Sequence, residues 1–267
     1  MNYLSHHEIS SRMNSHGLHA HDTYEFYIHI RGGRFYCIED STFELKSNEL
    51  LIIPPLHMHG LVCDRDLVDY ERCYLSLSVE ELKKFEFGEL DLVKSLNEFA
   101  ENRHVPITLT KEQASQCKDI LITLSSCTSS TPKLEVFRLI LTFLDIVFHE
   151  IETFRTPKTK ALPNTPILDV LHYINGHYTE DIALAELSKL FGMSESSISH
   201  EFKRYVNRSI YDYILAKRVL KAKELLYTKQ SLSEISSACG FNDYSNFLRV
   251  FKSRTGMSPK AYRDLFC

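Results

Sequence analysis

The last hundred or so residues contain the same unit twice, and that repeat limits what the chain can fold into more than any bulk property does. Phe202-Lys203 overlies Phe251-Lys252 at a shift of 49, which also sets Ser209 on Ser258, Tyr213 on Tyr262 and Asn207 on Gly256. Upstream, Leu187-Ser188 and Phe191-Gly192 match Ile235-Ser236 and Cys239-Gly240 at a shift of 48, so the second copy carries one extra residue in its turn. Two copies are too few for a solenoid, which needs about three stacked repeats to close a core. They suit a pair of small helical modules joined by one helix.

Each copy reads as two helices around a tight turn. In the first, Ile182, Leu184, Leu187 and Leu190 run at helical spacing, and Gly192 supplies the positive φ that ends the helix. Ser188 is small enough for a second helix to cross closely. Ser194 caps that helix, with Ile198 and Phe202 turned inward. Ser196, Ser199, His200, Lys203 and Arg204 remain outward. The second copy offers Ile235, Ser236 and Gly240, then Asp243 as cap and Phe247 and Phe251 inward, leaving Tyr244, Ser245, Leu248, Arg249 and Lys252 outward. A helix with such a face fits a DNA major groove, where hydroxyl and arginine side chains reach base edges. Two such units in register, both followed by basic residues, are far more specific than one.

The stretch Ser231–Tyr262, SLSEISSACGFNDYSNFLRVFKSRTGMSPKAY, resembles the signature of the AraC/XylS family of bacterial transcription regulators, and the preceding SIYDYILAKRVLKAKELL resembles that family's linker helix. The resemblance runs from Ile167 to Phe266. It implies a DNA-binding domain over 167–267, built of seven helices, whose two recognition helices enter successive major grooves on one face of the duplex. By position the base-facing residues are Ser196, Ser199 and His200 in the first helix and Tyr244, Ser245, Leu248 and Arg249 in the second, with Lys203, Arg204 and Lys252 beside them. Two positions depart from the family: Ser196 is smaller than usual, and Asn207 replaces a glycine. Asparagine tolerates the left-handed conformation better than other residues with a side chain, so the turn is expected to survive.

Residues 1–155 read differently. Tyr24–Ile30 is aromatic and β-branched, and Gly32-Gly33 is expected to turn it into Arg34–Ile38 as a hairpin. Thr42–Leu45, Leu50–Ile53 and Arg72–Ser78 follow as short strands without a βαβ rhythm, which argues for a small barrel or jelly roll. His19-Ala-His21, Glu25, Gly32, Pro54 and His59 resemble a cupin, with Asn48 where that family's second motif usually has glycine. AraC-type sensor domains are commonly cupin-like, so the two resemblances agree. The whole chain is therefore expected to be α+β: a cupin-like barrel followed by helices, then an all-α domain with two helix-turn-helix motifs.

Three imidazoles and a carboxylate, His19, His21, Glu25 and His59, are ligand types that suit Fe, Mn, Ni or Zn. If the strand is unbroken, its period of two puts His21, Glu25, Tyr27 and His29 on one face inside the barrel. The pattern also persists in regulatory cupins as scaffold and pocket lining without metal. The expectation is therefore a pocket for a small polar effector around His21, Glu25, Tyr27 and His29, with no cofactor. A divalent metal on His19, His21, Glu25 and His59 stands as the second reading. His6, His7 and His16 fall outside any pattern and are expected to be solvated.

Beyond the barrel, Thr131 is read as a cap and Pro132 as the start of a helix. Leu134, Phe137, Leu141, Leu144, Phe148 and Ile151 then alternate by three and four as a coiled-coil seam. Ala114, Cys117, Leu121 and Leu124 form a shorter version, expected simply to pack on its neighbours. The family resemblance implies that the longer seam pairs two subunits as a homodimer, with RNA polymerase as a further partner of an activator. The proline-containing RTPKTKALPNTP makes a linker, placed at 156–166, that extends neither flanking helix.

Charge agrees with this division. Residues 1–160 hold 17 Lys and Arg against 24 Asp and Glu, a net −7, whereas 161–267 hold 14 against 11, a net +3. The seven cysteines form no CxxC pair and no zinc spacing, which fits a reducing compartment. The opening residues are polar and histidine-rich, unlike a secretory leader, and no apolar run approaches the roughly 18 residues of a membrane span, so a cytoplasmic location is expected. The competing class is a metal-dependent cupin enzyme with a helical accessory domain. It would leave the helix-turn-helix pair unexplained, and no Ser-His-Asp grouping, P-loop or GxGxxG offers other enzyme chemistry.

Overall fold

Strand Tyr24–Arg31 sorts its side chains by the pleat. Tyr24, Phe26 and Ile28 enter one apolar cluster, and Tyr27 enters another, with Glu25 and His29 buried beside it on the same face. In the computed structural model, which describes residues 2–13, 17–32, 35–39, 41–62, 67–102, 105–154 and 166–266, this strand is β2. Around it lie β1 (Tyr3–Met13), β3 (Phe35–Ile38), β4 (Ser41–Glu44), β5 (Glu49–Ile53), β6 (His59–Val62), β7 (Leu67–Leu77) and β8 (Ile107–Thr108). They form two antiparallel sheets, ordered β1-β7-β2-β5-β8 and β4-β3-β6. Tyr27, Leu51, Ile53 and Tyr70 of the first sheet pack on Tyr36, Ile38 and Leu61 of the second.

The expected β2–β3 hairpin does not form. β2 pairs with β5 and β7, while β3 pairs with β4 and β6, so the chain leaves one sheet for the other between them. Gly33 and Arg34, the heart of the proposed turn, lie outside the described residues. Gly32 (φ 69°) sits where an added Cβ would stand 2.5 Å from the Asp69 carbonyl oxygen. Its glycine therefore serves a close approach to β7. β1 is a further departure: its polar sequence gave no strand signal, yet it pairs along its length with β7. His7 is accordingly not free in solvent but lies 3.0 Å from the Glu71 carboxylate, while His6 is exposed, its ring tilted against that of Tyr74 at 5.4 Å. His16 falls outside the described residues.

The first unit, Met1–Leu162, closes with α1 (Val79–Leu82), a 3-10 turn (Lys83–Phe85), α2 (Leu92–Asn102), α3 (Lys111–Ser126) and α4 (Lys133–Thr153). Ala114, Cys117, Leu121 and Leu124 are buried, as the shorter seam requires. In α4 the N-cap is Pro132, not Thr131, whose hydroxyl instead accepts from the Thr128 amide. Of the longer seam only Leu134 (77% exposed) and Leu141 (43%) face solvent. Phe137, Phe148 and Ile151 are half-buried, and Leu144 belongs to the unit's own core. The correction has a simple cause. Val136, Ile140, Phe143 and Val147 take the core face, and Leu144 lies one turn from both Ile140 and Val147 on that same face.

The second unit, Pro163–Cys267, is helical: α5 (Pro166–His177), α6 (Leu184–Phe191), α7 (Glu195–Val206), α8 (Ile210–Leu226), α9 (Leu232–Ala238), α10 (Tyr244–Thr255) and α11 (Pro259–Phe266). Seven helices among the described residues match the expectation. Gly192, Asn207 and Gly256 are all left-handed, with φ of 64°, 55° and 80°. The linker placed at 156–166 lies outside the described residues except for Pro166, which opens α5. No described helix is long and apolar enough to cross a membrane.

Candidate functional site

The two recognition helices are built alike. The Ser194 hydroxyl accepts from the Ser197 amide at 3.1 Å to start α7, and the Asp243 carboxylate accepts from the Asn246 amide at 2.5 Å to start α10. Ile198 and Phe202 are fully buried under α7, and Phe247 and Phe251 under α10. Ser196, His200, Lys203 and Arg204 are therefore exposed and Ser199 half-buried; Tyr244, Ser245, Arg249 and Lys252 are exposed and Leu248 half-buried. Nine of the ten residues read from the sequence lie on the outward side of their helix, while Leu248 also packs against the unit's core. In the supporting helices the reading was too generous. Leu184 (37% exposed) and Leu190 (55%) stay at the surface, Ile182 precedes the helix, and Leu187 alone is buried in α6.

A junction that the sequence reading missed holds the two halves together. Arg218, on α8, is 9% exposed; its Nε donates to the Tyr178 carbonyl at 2.7 Å and its Nη2 to the Glu180 carbonyl at 2.8 Å. The same loop meets the second unit's turn. Asn242 Nδ2 donates to both Asp181 oxygens, at 3.2 and 3.0 Å, and Gly240 (φ 81°) lies where any Cβ would meet the Thr179 oxygen at 2.2 Å. Arg254 of α10 and Arg208 both donate to the Asp212 carboxylate of α8, at 2.5 and 2.9 Å. Arg208, Arg218 and Arg254 thus face protein, while on the outward side Arg204 pairs with Glu201 and Arg249 with Asn246, each within its own helix.

In the first unit, His19, His21, Glu25 and His59 converge. His19 pairs with His59 backbone to backbone, the amide of each donating to the other's carbonyl at 2.9 and 2.8 Å. Gly60 permits the approach, since a Cβ there would stand 2.8 Å from the Gly17 oxygen. Leu56 holds a left-handed φ of 65°, a strained choice for leucine, and its amide donates to the His21 carbonyl at 2.8 Å, tying the loop before β6 to the His21 segment. The four side chains offer ligand atoms within 4.8 Å of one another. His21 Nε2 is 3.0 Å from Glu25 Oε2, and His59 Nε2 is 3.9 Å from Glu25 Oε1. Burial alone would raise the Glu25 carboxyl, but the His21 hydrogen bond and the three imidazoles outweigh it, and the carboxyl is held below its ordinary value. Burial pushes His59 down to about 3 despite Glu25.

A cleft of about 630 Å³ opens at this cluster, lined among others by His19, His21, Thr23, Glu25, Arg72, Tyr74 and Ser76. Tyr27 and His29 share the strand face with Glu25 but do not line it. Tyr27 is fully buried between Tyr36 and Tyr70, its hydroxyl 3.0 Å from that of Tyr70. His29 is 2% exposed, and burial holds its imidazole down at about 4. Arg72 was not anticipated. Its guanidinium lies over Tyr74 at 5.4 Å while Nε donates to Glu8 at 3.0 Å.

Two domain families account for most of this architecture. Residues 3–91 match the AraC-like ligand binding domain and residues 187–264 match a helix-turn-helix domain. The chain belongs to the AraC family: it is a DNA-binding transcription regulator with an N-terminal ligand-binding domain. It is 26% identical over 258 residues to the uncharacterized HTH-type transcriptional regulator YdiP of Escherichia coli K12, covering 94% of this chain and 82% of that one. It is 32% identical over 112 residues to the xylose operon regulatory protein of the same organism, covering 42% of this chain but 29% of the relative. The chain thus spans less than a third of that longer regulator. Among solved structures, the DNA-binding domain of AdpA, a global transcriptional factor in complex with a target DNA, is 25% identical over 39% of this chain and 94% of that one, with a TM-score of 0.37.

Proposed function

We propose that the chain is a one-component regulator in which a small polar effector, held in the first unit's cleft, biases how two recognition helices engage DNA. The observation that carries the effector reading is a pair of buried polar atoms without a hydrogen-bond partner among the described residues, His59 Nε2 and the Tyr36 hydroxyl. Their rings lie 6.4 Å apart, beside Glu25. Buried polar groups left unpaired cost about 1–3 kcal/mol each, so a polar ligand that reaches them gains affinity from the start. In this reading Glu25 and His21 contact the effector directly, and Tyr27 and His29 shape the wall behind them.

The DNA contacts are assigned to Ser196, Ser199, His200, Lys203 and Arg204 on α7 and to Tyr244, Ser245, Leu248, Arg249 and Lys252 on α10. A net charge of +3 over the C-terminal part gives phosphate attraction that salt weakens, so a second subunit is needed for useful affinity. We assign dimerisation to the solvent-facing stripe Leu134 and Leu141 of α4, which are seven residues apart and together with Phe148 line one side of the helix. We also assign to the chain a cytoplasmic location and contact with RNA polymerase as an activator. The enzyme alternative is set aside, because the family and the named relatives are regulators.

The test is DNA affinity across a panel of sugars and small organic acids, for wild type and Glu25→Gln. The reading expects at least one compound to shift wild-type affinity, a weakened response in Glu25→Gln, and unchanged ligand-free binding. An identical response in Glu25→Gln would place the effector elsewhere.

A further inference from the structure

Each recognition helix carries an arginine held by the residue three positions earlier, yet the two clamps differ in charge. On α10, Arg249 Nη2 donates to the neutral amide oxygen of Asn246 at 2.8 Å, so its positive charge stays whole. On α7, Arg204 Nη2 donates to Glu201 Oε2 as an ion pair, and its guanidinium lies 5.2 Å from the centre of the Tyr205 ring. The second Glu201 oxygen faces His200, whose Nδ1 stands 3.4 Å away. The repeat shows that this carboxylate is particular to α7. At the shift of 49, Glu201 falls on the buried Val250 and Arg204 falls on Ser253. The helix charges differ accordingly. α7 sets Glu195 and Glu201 against Lys203 and Arg204, a net of 0, whereas α10 holds Arg249, Lys252 and Arg254 with no acid, a net of +3. Arg254 is committed to Asp212, which still leaves two outward cations on α10.

We propose that Glu201 is a specificity-determining residue of the DNA-binding surface: its carboxylate withholds Arg204 from duplexes that α7 does not fit. Phosphates attract free cations whatever the base sequence, and this attraction supplies nearly all non-specific affinity. A neutral Glu201–Arg204 pair adds little to it. Where Ser196, Ser199 and His200 fit the base edges, α7 seats in the groove and brings the pair to the backbone. A phosphate, with several acceptor oxygens for the guanidinium fork, then replaces the carboxylate as partner. The exchange is feasible because an exposed ion pair is weak. The side chains of Arg204 and Glu201, 43% and 30% exposed, are open enough to part. α10 thus supplies affinity for any duplex, and α7 adds to it only on the right one.

Because this clamp rests on the reading that places α7 on DNA, the experiment separates the two. Full-length protein is titrated against a duplex it selects from a random pool and against alternating dI-dC copolymer, between about 50 and 200 mM salt. Glu201→Gln keeps the side chain's shape but removes its charge. It should bind the copolymer at least about threefold more tightly at the lower salt, with a salt slope steeper by about 0.9, the increment for one further phosphate. The selected duplex should gain less, so the ratio between the two falls. Arg204→Gln should weaken the selected duplex and leave the copolymer unchanged, and the double variant should lose the copolymer gain. Glu195→Gln removes an exposed charge from the same helix and should leave the ratio as it is. An equal gain on both DNAs, a gain that survives Arg204→Gln, or no change in Glu201→Gln would overturn the proposal. His200→Ala reports on the reading beneath it. If that variant loses affinity for the selected duplex while Glu201→Gln is inert, the clamp alone fails. If both are inert, α7 is not at the duplex and the two fail together.

Discussion

Replacing Arg218 by methionine tests whether the two helix-turn-helix units act as one reading head. The change keeps an apolar stem of similar length but removes both hydrogen bonds to the Tyr178 and Glu180 carbonyls and the guanidinium lying 5.8 Å over Phe241. A hydrogen bond to a charged group contributes about 1.5–3 kcal/mol, and leaving its carbonyl partner unpaired costs a comparable amount. Against this, removing a buried guanidinium relieves desolvation, which returns part of the loss. The net is about 2–3 kcal/mol. In a unit of about a hundred residues, each kcal/mol moves Tm by about 4–8 °C, so calorimetry should find the second unit's transition lowered by roughly 10–20 °C. A binding assay adds a sharper readout. A duplex carrying both binding blocks should lose more affinity than one carrying a single block, because the Tyr178–Asp181 loop also braces the second unit's turn through Asn242 and Gly240. A Tm within about 2 °C of wild type, with an unchanged ratio between the two duplexes, would refute the junction.

Arg249→Ala should cost about 1–3 kcal/mol in specific binding and relax preference at one base pair, read by competition gel shifts; the Arg249 guanidinium donates to Asn246 Oδ1 at 2.8 Å. His200→Ala should cost less, since one imidazole makes a single base-edge bond. Leu141→Glu should give a folded monomer by sedimentation, whereas Leu144→Glu, at a core position, should unfold the first unit; a folded, dimeric Leu141→Glu protein would move the interface elsewhere. Acid should destabilise the first unit through His29. Its imidazole is held near 4 by burial but titrates near 6.5 when unfolded, so stability is full above about 6.5 and falls as pH drops toward 4, by up to about 3 kcal/mol. Glu71 acts in the same direction: burial raises its carboxyl, yet Lys118, His7 and Arg31 outweigh that and hold it at about 2. A first unit equally stable to urea at pH 7 and pH 4.5 would contradict this.

What the sequence made legible was local chemistry. Ser194 and Asp243 cap helices because their short side chains reach the amide three residues on, and Asn207 sits left-handed because asparagine tolerates that conformation; both follow from residue type alone. The outward faces of α7 and α10 followed from a spacing of four between buried aromatics and Ile198. Elsewhere tertiary context decided. Leu184 and Leu190 keep helical spacing but find no neighbour to cover them. The Gly32-Gly33 pair resembled a hairpin turn, yet Gly32 is needed for approach to Asp69, and strand pairing across sheets leaves no trace in the pair itself. β1 is polar because one side faces solvent, and its register with β7 is a long-range fact. Arg218 was invisible for a related reason: a buried arginine on an amphipathic helix looks like any surface cation until its carbonyl partners are known. The His19, His21, Glu25 and His59 set was legible as a spacing pattern, but the backbone pairing of His19 with His59 that gathers it was not.

If α7 and α10 of one chain read DNA together, selection from random duplexes by the full-length protein will show it. Enriched sites should carry two blocks about 10–10.5 bp apart, centre to centre, so that both fall on one face of the helix. Inserting about 5 bp between the blocks should then cost at least tenfold in affinity, because the Arg218 junction fixes the two helices relative to each other. A single enriched block, or full affinity after the insertion, would contradict it.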